Sequence, residues 1–83
     1  MDLETFQRRV CSLDLSKYPN VVKNWRFRET KNCLIAECDS NAPLLKGKGY
    51  SIYFWKEDLP RIMQLIKVYE MGNGSVLEEF DFS

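Results

Sequence analysis

Histidine is missing altogether from the 83 residues, and proline (three) and glycine (four) are scarce. Without His, the Ser-His and Cys-His nucleophile pairs and imidazole metal sites are excluded, and general catalysis near neutral pH loses its usual proton carrier. So little Pro and Gly rules out collagenous repeats and low-complexity linkers. Net charge is also missing: 12 Lys and Arg are matched by 12 Asp and Glu. Apolar runs break within a few residues, well short of the roughly 18–20 that a membrane span needs, and the charged start Met1-Asp2-Leu3-Glu4 is unlike a secretion signal. Cysteine is sparse and odd in number. Cys11, Cys33 and Cys38 show no CxxC spacing, so they read as reduced, buried thiols in a cytoplasmic protein, with no metal and no cofactor implied.

What is present describes one small globular domain over 1–83: 45% of residues are hydrophobic and 13% aromatic, enough for a core but with a thin stability margin at this size. Leu3, Phe6, Val10 and Leu13 recur at helical spacing behind Asp2, a credible N-cap, and predict a helix from Asp2 to Leu13. Tyr18-Pro19-Asn20 predicts a loop within 14–24. Trp25-Arg26-Phe27-Arg28 alternates as a half-buried strand, and Cys33–Cys38 returns after the turn at Glu29-Thr30-Lys31-Asn32. A loop over 39–49 leads to a third strand, Tyr50–Trp55. Asp58 as cap, Pro60 in the first turn and Gly72-Asn73 as stop predict a second helix with the stripe Leu59, Ile62, Leu65, Ile66 and Tyr69. Val76, Phe80 and Phe82 suggest a final strand. The expected fold is therefore α+β, a two-layer sandwich in the order α-β-β-β-α-β, with an antiparallel sheet and both helices packed on one face.

Catalytic constellations are weak. Glu37 with Asp39, Glu57 with Asp58, and Glu78, Glu79 and Asp81 are carboxylate groups at loops, caps or strand ends, where solvated charge is the plain reading. Gly47-Lys48-Gly49 lacks the spacer and the Lys-Ser/Thr ending of a phosphate-binding loop. The expectation is that the chain is not an enzyme.

Charge is uneven although it sums to zero: nine basic against six acidic residues through Lys48, three against six afterwards. If Trp25 and Phe27 face the core, alternation sends Arg26 and Arg28 to the other face of the sheet, with Ser51, Tyr53 and Trp55 beside them. Such a face suits a protein partner, for which Tyr, Trp and Arg are the usual anchors. With Lys31, Lys46 and Lys48 added, it would also suit RNA or single-stranded nucleic acid. The plain alternative is arginine stems shielding an aromatic belt. The acidic end, Glu70 to Asp81, could meet the basic part of a second copy, so a homodimer is a further expectation. In element order alone, helix-strand-strand-strand-helix over about residues 2–71 resembles two RNA-binding families, the double-stranded RNA-binding domain and the Alu-domain subunits of the signal recognition particle. The acidic opening Lys56-Glu57-Asp58-Leu59-Pro60 stands where the first family has a lysine-rich run. The leading expectation is a small cytoplasmic, non-enzymatic domain that binds another protein as a regulatory, inhibitory or accessory subunit.

Overall fold

Asp2 holds an extended backbone and its carboxylate accepts the Thr5 N–H at 2.8 Å, which starts helix α1, Leu3–Cys11. Glu4 in the first turn and Arg8 and Arg9 in the last complement the helix dipole, and Ser12 closes the helix with its hydroxyl on the Arg8 carbonyl. The apolar stripe is as the spacing predicts: Phe6 and Val10 are buried, and Leu3 and Leu13 pack partly against the same core. The computed structural model describes residues 1–41, 49–57, 62–67 and 76–81.

After a short loop, five strands follow: β1 (Val21–Glu29), β2 (Cys33–Ser40), β3 (Gly49–Trp55), β4 (Ile62–Lys67) and β5 (Val76–Asp81). Each is antiparallel to its predecessor, and spatial order equals chain order. Strands β1 and β2 run longer than alternation alone predicts, because Val21 and Val22 still pair with Ser40 and Asp39.

The second helix is a correction to the sequence reading: Ile62–Lys67 is a strand, hydrogen-bonded between β3 and β5. Ile62, Leu65 and Ile66 satisfy helical spacing, but Met63 and Leu65 turn inward while Ile62, Gln64 and Ile66 turn outward, which is a period of two. A six-residue segment apolar on both faces fits either period, and pairing along the exposed side of β3 decides between them. Among the described residues the fold is thus a five-stranded antiparallel sheet with one short helix, and β4 stands where the expected α-β-β-β-α-β order had its second helix. With the second helix goes the element order that carried the likeness to the two RNA-binding families. The expected caps Asp58, Pro60, Gly72 and Asn73, and Leu59, Tyr69 and Phe82, lie outside the described residues.

The core fills one face. Cross-strand partners Phe27, Ala36, Ile52 and Leu65 form one row on it, and Leu34, Phe54, Met63 and Phe80 form another. Helix α1 lies over β1 and β2 on that side, with the Phe6 ring edge-on to Phe27 at 6.2 Å. Leu15 and Tyr18 cap the same core from the loop before β1. There the Tyr18 hydroxyl donates to Glu78 at 2.7 Å, and the Lys17 ammonium reaches the same carboxylate at 3.5 Å. Burial, reinforced by Glu78, pushes the Tyr18 phenol up to about 12.

The two inner pairings, β2–β3 and β3–β4, hold one register throughout. The two outer ones do not: β1–β2 shifts between Val22 and Arg26, and β4–β5 shifts at Leu65/Ile66. The second shift places Val76 opposite Ile66 and Glu78 opposite Leu65, so Leu77 is the extra residue.

Candidate interaction face of the sheet

Alternation along each strand dictates what stands on the face away from α1. One row crosses all five strands: Arg28, Ile35, Tyr53, Gln64 and Glu79. A second runs Arg26, Glu37, Ser51, Ile66 and Val76. Cys33 and Trp55 face each other beyond the first row, and Val22 and Asp39 beyond the second. Among the described residues, the sheet's exposed large apolar side chains are Val22 (37%), Trp55 (39%) and Val76 (44%), and all three belong to this face. The rings of Tyr53 and Trp55 lie nearly parallel, 16° apart with centroids at 6.1 Å, as same-face neighbours two residues apart.

The arginines are engaged within the chain. The Arg28 Nε donates to Glu37 Oε1 at 2.6 Å, and this bond raises the guanidinium pKa further above its ordinary value. The Arg26 Nη2 reaches Asp39 Oδ1 at 3.3 Å. Asp39 is held from a second side: the Asn24 amide donates to its Oδ2 at 2.7 Å and accepts the Asp39 N–H at 3.1 Å. The Asn24 bond, followed by the charge of Arg26, keeps the Asp39 carboxyl below its ordinary pKa. Gln64 contacts Glu79 at 3.4 Å. Arg28 meets Glu37 and Arg26 meets Asp39, and Glu79 stands at the far edge beside Gln64, so the face carries no surplus of positive charge.

Of the residues singled out in the sequence, Arg26, Arg28, Tyr53 and Trp55 share this face. Lys31 stands in the β1–β2 turn, exposed and without an ion pair to a described residue. That turn is pinned by Lys56, which reaches Glu29 at 2.5 Å and the Thr30 carbonyl at 3.0 Å. Lys46 and Lys48 lie outside the described residues. Sequence reasoning missed Glu37 and Asp39 as arginine partners; the signal was there, since both alternate along β2 opposite the arginine-bearing strand. It also missed Ile62, Gln64, Ile66, Val76 and Glu79, which only a β4–β5 hairpin brings to the face.

Reactive groups are few. Cys33 is buried beside the Thr30 hydroxyl at 3.2 Å, and Cys38 is buried with its thiol pushed up to about 11, mainly by desolvation. Cys11 is exposed at the end of α1. Among the described residues no three His, Cys, Asp or Glu side chains gather as a metal site, and no helix is long and apolar enough to cross a membrane. A groove of about 350 Å³ runs past Thr5, Arg8, Arg9 and Ser12 on α1, on the other side of the sheet.

Comparison with protein-family models, with curated proteins and with solved structures gives no match to this chain.

Proposed function

We propose that this chain is a small non-enzymatic domain that binds another protein in the cytoplasm, as a regulatory, inhibitory or accessory subunit, through the sheet face opposite α1. One observation carries the reading: Val22, Trp55 and Val76, the exposed large apolar residues of the sheet among the described residues, all lie on the face that also presents the Tyr53–Trp55 pair, with Val22 and Trp55 at opposite ends of it and Val76 on the edge strand. Scattered apolar exposure is ordinary, but its collection on one face beside aromatics and arginine is the composition of a protein interface. Nucleic-acid binding by the same face is less well supported, because stacking sheets add free cations for the phosphates and here both arginines already meet carboxylates.

A Trp25→Phe variant leaves Trp55 as the single tryptophan. Its fluorescence should be quenched by acrylamide and iodide in the isolated protein and become protected when a protein partner binds. Trp55 inaccessible to acrylamide in the isolated monomer would remove the face from consideration. A single-stranded RNA oligonucleotide that protects Trp55 and loses affinity steeply with salt would favour the nucleic-acid reading instead.

A further inference from the structure

We infer that the partner seated on this face is a second copy of the same chain, joined face to face about a two-fold axis that passes Tyr53 and runs along the strands. The inference rests on the reading of the face as a protein interface and goes one step beyond it, to the occupant.

The argument comes from register. The row Arg28, Ile35, Tyr53, Gln64, Glu79 begins with a cation on β1, ends with an anion on β5, and has an aromatic residue on the middle strand. A two-fold axis parallel to the strands and beside β3 exchanges β1 with β5 and β2 with β4. It lays Arg28 of each copy over Glu79 of the other, Ile35 over Gln64, and Tyr53 over its own counterpart. The row is therefore complementary to itself, as an isologous interface requires. Axes in other directions fail this condition. A two-fold axis perpendicular to the strands sets β1 over β1 and β5 over β5, which opposes like charges.

The second row is compatible with the same axis. Arg26 falls over Val76 at the rim, where its aliphatic stem covers the exposed valine while the guanidinium stays in water. Ser51 (2% exposed) and Ile35 (3%) are already buried in the single chain, so Arg28, Tyr53, Gln64 and Glu79 carry the contact. Glu37, on the same row as Ile66, remains tied to Arg28 at 2.6 Å.

The contact is small. Five strands about 4.8 Å apart and about six residues deep at about 3.3 Å each have a footprint of roughly 500 Å² per copy, and because Cys33, Ile35 and Ser51 are already buried in the single chain, the pair stays below the roughly 1,000 Å² at which specific interfaces begin, in the range of weak and transient contacts. Two sheets packed about 10 Å apart give a sandwich with α1 of each copy outside. An interface at the low end of the range predicts a dimer that dissociates on dilution.

Sedimentation of the wild-type chain over a concentration series decides the first point: a monomer–dimer equilibrium is expected, and a monomer up to millimolar concentration overturns the proposal. Charge exchange decides the geometry. Arg28→Glu and Glu79→Arg, each checked for folding by circular dichroism, should each weaken self-association on the order of tenfold, since both junctions of the dimer become like-charged. Mixed one to one they should recover it, because both junctions of the mixed dimer again join opposite charges. Failure of the mixture to associate better than either variant alone overturns the axis. If Arg28→Glu does not fold for want of its Glu37 bond, Tyr53→Lys sets two ammonium groups against each other on the axis; loss of the dimer supports the inference and an unchanged dimer overturns it. A wild-type chain that stays monomeric, yet shows Trp55 protected by a different purified protein, overturns this inference and leaves the protein-binding reading standing.

Discussion

Asn24 takes over the work of a backbone group where β1 slips out of register. Between Val22 and Arg26 the ladder to β2 is interrupted, and the Asn24 side chain both accepts from the Asp39 N–H and donates to the Asp39 carboxylate. Asn24→Ala should therefore raise the Asp39 pKa toward its ordinary value, since this bond is the largest cause of the depression. The sign follows from linkage: a carboxyl whose folded pKa lies below its unfolded one stabilises the fold above the unfolded pKa, and that contribution disappears as pH falls through the folded value. The variant should lose this part of its acid dependence. A carboxyl-detected NMR titration checks it, and an unmoved Asp39 would show that Arg26 alone sets the value. Gly49 is constrained by space. A Cβ there would stand 1.8 Å from the Cys38 carbonyl oxygen, on the neighbouring strand, so Gly49→Ala must push β2 and β3 apart. A loss of about 2–3 kcal/mol in urea unfolding is expected, at the upper end of ordinary overpacking; a loss below about 0.5 kcal/mol would mean that the strand start relaxes freely.

Among the elements, β4 separates a helical from an extended reading most sharply. On the helical stripe Met63 is off the apolar side, whereas in the strand it is 2% exposed between Phe54 and Phe80. Met63→Ala should cost about 2–4 kcal/mol as a buried truncation, and a near-zero change on denaturant unfolding would restore the helix. Other elements were legible for identifiable reasons. Helix α1 announces itself through a cap and a one-sided stripe, and Trp25-Arg26-Phe27-Arg28 is apolar on one face only, so only one periodicity fits. The same alternation placed Arg26, Arg28, Tyr53 and Trp55 together. Their carboxylate partners escaped because turn residues alone did not fix the β1–β2 register. Even spacing sets Val76 and Phe80 on one side of a final strand; the extra residue at Leu77 puts them on opposite faces, and nothing in Val76-Leu77-Glu78 marks an insertion before the partner strand is known.

For the whole molecule, the division between two faces implies that folding and binding are separable. The core side, with Phe6, Ile52 and Leu65 all at 0% exposure, holds the fold, while Trp55, at 39%, stands on the opposite face. Trp55→Lys should leave the unfolding free energy within roughly 0.5–1 kcal/mol and abolish partner-dependent protection of that face in hydrogen exchange; a collapse in stability would make Trp55 a structural residue instead. The irregular outer pairings carry a consequence of their own. Fibrillar growth needs a straight strand at the border onto which the next chain can hydrogen-bond. Here both border strands are bent by a register shift and studded with charge, Lys23, Arg26 and Arg28 on one and Glu78 and Glu79 on the other. At high concentration such a chain is expected to stay out of amyloid, with no rise in thioflavin T fluorescence, because the described borders make a poor template for a further strand.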